Sequence, residues 1–99
     1  MKDKSNKVIL YEFRDLDNIP FYVGITNNYR RRKNEHLHSL RIGCKYPVYN
    51  KLRKLQEEGY KLNMIVLQED LTLDEANELE IKTIKVYKEK GIKLYNLAE

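Results

Sequence analysis

The carboxylate of Glu80 stands in the middle of an apolar helical arc. At about 100° per residue, Leu73, Ala76, Leu79, Thr83, Ile84 and Tyr87 share one side of a helix, and Glu80 falls among them. The neighbouring acids Asp74, Glu75 and Glu78 lie outside that arc. A charge aimed at a core needs compensation, because an unpaired buried carboxylate is expensive. A salt bridge to Arg or Lys, a raised pKa, or a bound divalent ion could each supply it. A single carboxylate completed by water and phosphate oxygens suits Mg²⁺, or Mn²⁺ in its place.

Arg32 and His36 are four residues apart and so stack on one side of a helix. A guanidinium beside an imidazole suits a phosphate that is gaining negative charge. The simpler alternative is a solvated arginine within the run Arg30-Arg31-Arg32-Lys33 and a packing histidine. Tyr11 and Tyr22 supply phenols, one on each of two short apolar runs. Their ordinary pKa of about 10 is too high for an unaided base, so proton transfer would need a cationic neighbour or a metal. Gly24 leaves backbone room for a substrate or an adjoining strand.

These side chains need a scaffold. Val8 to Phe13 and Phe21 to Thr26 read as two strands, joined through RDLDNIP as a β-hairpin. Asn27 or Asn28 caps a helix running to about Ile42, before Gly43. Its predicted inner face is Tyr29, Lys33, Leu37 and Leu40, with Arg32 and His36 along the edge. Val48 to Glu58 is a second helix, with Val48, Leu52 and Leu55 together and Gly59 as its stop. Lys61 to Gln68 is a third strand. Thr72 or Asp74 caps a third helix through about Lys88, Gly91 ends it, and Lys93 to Leu97 is extended. The order β-β-α-α-β-α with a short tail predicts an α+β domain: a small three-stranded, mainly antiparallel sheet flanked by about three helices. Residues 1–6 are polar and are expected to fray, leaving 7–99 as one domain.

At 99 residues and 41% hydrophobic content, the chain can bury one core. A lone Cys44 excludes an intramolecular disulfide and a cysteine metal cage. No segment reaches the roughly 18–20 apolar residues of a membrane span, nor does the N-terminus read as a signal peptide, so a cytoplasmic location is expected. The net charge of +4 is unevenly placed. Arg30, Arg31, Arg32, Lys33, Arg41, Lys45, Lys51, Arg53 and Lys54 face one acid, Glu35, across that stretch, while the rest of the chain is net acidic. This block is the candidate surface for a polyanion, and it would bind phosphates rather than read bases.

Taken together, the residues resemble the GIY-YIG nuclease superfamily, and the likeness runs from Val8 to Asn96. Ile9-Leu10-Tyr11 stands at the first motif and Tyr22-Val23-Gly24 at the second. The segment YVGITNNYRRRKNEH follows the pattern with Thr26, Tyr29, Arg32 and His36. EANELEIKTIK is similar to the metal-binding helix, with Glu80 at the glutamate position, and Leu94-Tyr95-Asn96 to the closing motif. One position departs: Ile9 stands where the family carries its first glycine.

The resemblance implies a homing-endonuclease-like catalytic domain with one divalent metal on Glu80 and a water attacking phosphorus in line. Tyr11 or Tyr22, Tyr11 by preference, would orient or deprotonate that water. Arg32 would stabilise the phosphate, His36 would assist or help the leaving oxygen, and Asn96 would brace the site. Gly24, Thr26 and the basic stretch from Arg30 to Lys54 would meet double-stranded DNA. An additional DNA-recognition domain or partner protein is compatible with this. The competing expectation is a non-cleaving nucleic-acid-binding module on the same scaffold.

Overall fold

Alternation of large apolar residues along Val8–Arg14 (β1) gives that strand two packing faces. A computed structural model describes residues 7–96; the predicted fraying of residues 1–6 and the end of the tail at Leu97 lie outside the described residues. β1 pairs antiparallel with Pro20–Thr26 (β2) through a tight turn. In that turn the Asp15 carboxylate accepts from the backbone of Asp17 and Ile19, at 2.9 and 3.0 Å, and Asn18 takes a left-handed φ of 65°. A bulge after Phe13 lets Pro20 open β2 opposite Arg14, at the strand end where a missing N–H is tolerated.

Helix α1 spans Tyr29–Arg41 and is capped by Asn28, whose side chain accepts from the Arg31 N–H. Helix α2 is Pro47–Gln56. Helix α3 is Leu73–Glu89, opened by a reciprocal capping box in which Thr72 and Glu75 each satisfy the other's backbone. The remaining strand, β3, is Ile65–Leu71, and the sheet order is β2-β1-β3, all antiparallel. Among the described residues, three strands and three helices make the predicted α+β arrangement.

Each sheet face has its own core. Tyr11, Phe13 and Phe21 pack with Leu40 of α1 and with Val48, Tyr49, Leu52 and Leu55 of α2. Val8, Leu10 and Val23 pack with Ala76 of α3 on the opposite face. α1 and α2 thus cover one side of the sheet and α3 the other.

Three expectations need correction. β3 lies at 65–71 rather than 61–68. The apolar alternation of Leu62 and Met64 reflects burial in the α1–α2 core by an unpaired extended segment, while the polar Gln68-Glu69-Asp70 is tolerated on an edge strand. In α1 the buried residues are His36 and Leu40, whereas Tyr29 and Leu37 are both 37% exposed. The imidazole, not the flanking leucine, faces the sheet because aromatic residues of β1 and β2 meet it there. In α3, Leu73 is largely exposed, at the outer edge of the arc that Ala76, Leu79, Ile84 and Tyr87 bury.

Candidate active site

Tyr11 occupies the centre of β1 and its register partner on β2 is Gly24. A Cβ at position 24 would stand 2.7 Å from the Tyr11 hydroxyl and 2.8 Å from its Cζ, so only glycine lets the phenol lie across β2. The room expected beside Gly24 is filled by this ring. Tyr22 is next to it, ring centroids 6.2 Å apart, and stacks on Phe13 at 5.0 Å. Thr26, also buried, spends its hydroxyl on the backbone of Asn28 where β2 turns into α1.

α1 then lays Arg32 and His36 over this face. His36 is wholly buried, and both ring nitrogens have phenol partners: Nε2 lies 2.8 Å from the Tyr11 hydroxyl and Nδ1 lies 2.8 Å from the Tyr49 hydroxyl. Burial first, and the Arg32 charge second, push the imidazole pKa down to about 4, so the ring is neutral near pH 7. Burial, then the neighbouring Tyr22, push the Tyr11 phenol well above its usual range, against the opposing pull of Arg32. Partial burial works against the Arg32 charge. Its 2.9 Å bond to Glu35 and the two phenols beside it outweigh that cost and hold the guanidinium firmly protonated.

Tyr49 was not anticipated as a site residue. Its spacing from Leu52 on α2 put it on the inner side of that helix, and a phenol there needs a polar partner. That was the available signal.

Asn96 grips the free edge of β2. Its carbonyl oxygen accepts from the Val23 N–H at 3.0 Å and its amide donates to the Val23 carbonyl at 2.6 Å, while the Tyr95 N–H donates to Phe21. One side chain thus satisfies both backbone groups of the residue between Tyr22 and Gly24.

Glu80 comes from α3, on the other face of the sheet. Its side chain is half-buried, and burial raises its pKa. Among the described residues it makes no hydrogen bond or ion pair, so the salt-bridge alternative is absent there. The described residues contain no cluster of three or more His, Cys, Asp or Glu side chains able to hold a metal. A lone carboxylate without a partner among the described residues fits an ion that keeps most of its water, as Mg²⁺ does.

The basic stretch divides by partner. Arg53 is bound to the carbonyls of Leu40 and Cys44 and to Asn50, closing the α1–α2 connection. Arg31 faces Asn27 and Glu35, and Arg41 faces His38. Lys51 lies over the rings of Phe21 and Tyr95. A shallow groove of about 370 Å³ is lined by Pro47, Asn50, Lys51, Lys54 and Tyr95, at the β2 edge. Arg30 and Lys45 are exposed, and Lys33 is half-buried.

The buried Tyr11–His36–Tyr49 chain thus lies with Arg32 beside it and Asn96 on β2. Residues 7–96 match the GIY-YIG catalytic domain. The chain belongs to the GIY-YIG family. Domains of this family belong to a nuclease superfamily, which makes nucleic acid the substrate class. Searches of curated proteins and of solved structures each returned no match. Among the described residues, no helix is long and apolar enough to cross a membrane.

Proposed function

We propose that this GIY-YIG domain is a metal-dependent endonuclease that hydrolyses phosphodiester bonds in DNA through a single-metal site on Glu80. The observation that carries the reading is the half-buried Glu80 carboxylate, without a partner among the described residues, in a domain whose other sheet face gathers Arg32 and His36 with the phenols of Tyr11 and Tyr22. A bound Mg²⁺ or Mn²⁺ would supply Lewis-acid polarisation of the phosphate.

The residues of the chain do the rest. Arg32 is charged at any working pH, so it offers a fixed positive group to the oxygens of a phosphorane-like transition state. Tyr11 is a phenol and not a phenolate near neutrality. Its hydroxyl is wholly enclosed against His36 Nε2 at 2.8 Å, so Tyr11 would orient the site from within, and the half-buried Tyr22 is the phenol open to an attacking water. The water oxygen forms the new bond to phosphorus while the bond to the leaving oxygen breaks. Tyr22, stacked on Phe13, flanks that path. Asn96 holds the β2 segment that carries Tyr22 and Gly24.

Incubation with supercoiled plasmid across Mg²⁺ and Mn²⁺ tests this. Wild-type protein converts the plasmid to nicked or linear forms only with metal, and Glu80→Ala does not, while remaining folded. A Glu80→Ala protein cutting at the wild-type rate would remove Glu80 from the mechanism.

A further inference from the structure

One aromatic ring at the β2 edge holds two ammonium groups. Lys51 Nζ of α2 lies 5.6 Å from the centre of the Tyr95 ring, and Lys93 Nζ of the tail lies 5.1 Å from it. Lys51 Nζ also lies 5.9 Å from the centre of the Phe21 ring. The ring attracts each cation, while the two cations repel one another. Like charges gathered in this way call for an anion. Among the described residues the ion pairs join Arg14 to Glu12 and Arg31 and Arg32 to Glu35, so none of them neutralises these lysines. Lys54 adds a third ammonium to the same groove, where Pro47 and Asn50 carry no charge. Glu57 and Glu58 lie beyond the last residue of α2 and are exposed.

The groove is continuous with the site. Phe21, beneath Lys51, is followed on β2 by Tyr22. The Tyr95 N–H donates to the Phe21 carbonyl, and the next residue, Asn96, holds Val23. On α2, Tyr49 meets His36 two residues before Lys51. Both walls of the groove are therefore built by segments that also build the site. A strand with one phosphate beside Arg32 and Tyr22 carries further phosphates on either side.

We propose that Lys51 and Lys93, gathered over Tyr95, grip a non-scissile phosphate of the nucleic-acid backbone, so that the substrate strand runs along the β2 edge. Which phosphate reacts rests on the nuclease reading above, but backbone binding in the groove does not. The ring holds two long side chains near their bound positions, which lowers the cost of ordering them on binding. Ammonium groups meet phosphate oxygens as point charges and read no base, so the groove adds affinity without sequence preference. Lys93 lies outside the basic stretch from Arg30 to Lys54 and reaches the groove because the tail is bonded to the edge of β2.

Fluorescence titration of a labelled duplex in metal-free buffer, repeated across salt concentrations, tests this on the full chain. Lys51→Ala and Lys93→Ala are each expected to make the salt slope shallower by about one, with affinity lowered alike for unrelated sequences. Lys85→Ala removes the same charge from an exposed position of α3, across the sheet, and is expected to leave the slope unchanged. In ¹⁵N-labelled wild type, the duplex is expected to shift the amides of Lys51, Lys93 and Tyr95, and inorganic phosphate at the same concentration is not. An unchanged slope in both groove variants overturns the proposal. So does an equal loss in Lys85→Ala, which would leave net charge as the whole effect. Matching shifts with inorganic phosphate would make the groove a free-anion site and overturn it as well. Groove-dependent binding by a wild-type protein that nicks no plasmid with Mg²⁺ or Mn²⁺ supports the groove and counts against the nuclease reading alone. Nicking by a protein whose groove variants keep the full slope does the reverse.

Discussion

The Tyr11 hydroxyl lies 2.7 Å from where a Cβ on Gly24 would be, so β2 is shaped around the phenol of β1. The contact atoms belong to a ring enclosed on every side and held by His36, which cannot swing away as an exposed side chain could. Gly24→Ala is therefore expected to cost about 1–3 kcal/mol of stability, as overpacking does. Plasmid cleavage should fall more than ten-fold, because the displaced hydroxyl leaves Nε2. Urea denaturation and a nicking assay measure the two effects; an alanine variant as stable and as active as the wild type contradicts the packing account.

The elements were legible in the sequence because each was signalled by its own chemistry. Asn28 and Thr72 capped helices where such residues were expected, and Pro20 opened β2. What was misread depended on partners distant in sequence. Leu62 and Met64 alternate like a strand but lie unpaired in a core, and His36 is buried because the aromatic residues of β1 and β2 happen to face it. The site was legible as residue types at motif spacing. Its wiring was not, since the Tyr49 bond joins α1 to α2 and periodicity within one helix carries no such information. Glu12, an acid within the apolar run of β1, is 1% exposed.

Glu12 shows what that burial requires. Its two oxygens are taken by Arg14 at 2.5 Å and by the Tyr87 hydroxyl at 2.6 Å, which ties α3 to the strand carrying Tyr11. Burial, and then the Glu12 carboxylate, push the Tyr87 pKa up to about 12, so the phenol keeps its proton for this bond. Tyr87→Phe leaves one buried oxygen of Glu12 without its donor and is expected to destabilise the domain by about 1–3 kcal/mol. Thermal unfolding at neutral pH checks the value; a change below a few tenths of a kcal/mol would show that water replaces the phenol.

His36 makes stability pH-dependent. Its pKa falls from 6.5 to about 4 on folding. As pH drops below about 6.5 the unfolded chain takes up the proton first, so the folded state loses stability until about pH 4 and has its full share above 6.5. The shift corresponds to about 3 kcal/mol across that window. His36→Gln lacks the titration, so the difference in unfolding free energy between wild type and variant should narrow from pH 7 to pH 4. A difference constant with pH would mean that the imidazole titrates normally.

Arg53 and Lys54 are adjacent in sequence and should behave differently. Arg53 donates to the carbonyls of Leu40 and Cys44 and to Asn50, so its guanidinium holds the α1–α2 connection together. Removing it takes the donor from the Cys44 carbonyl, while Leu40 keeps the Gly43 N–H, and Arg53→Ala is expected to cost about 1–3 kcal/mol of stability. Lys54 is exposed and borders the groove that also contains Lys51 and Tyr95. Lys54→Ala should leave stability within about 0.5 kcal/mol of wild type, as exposed substitutions do. Its effect should appear in DNA binding, as a uniform weakening across sequences and a salt slope shallower by about one. Fluorescence titration of a labelled duplex at several salt concentrations, beside urea melts of both variants, separates the two roles. Should Lys54→Ala leave the slope unchanged, the phosphates pass elsewhere on the domain and the groove at the β2 edge is not their path.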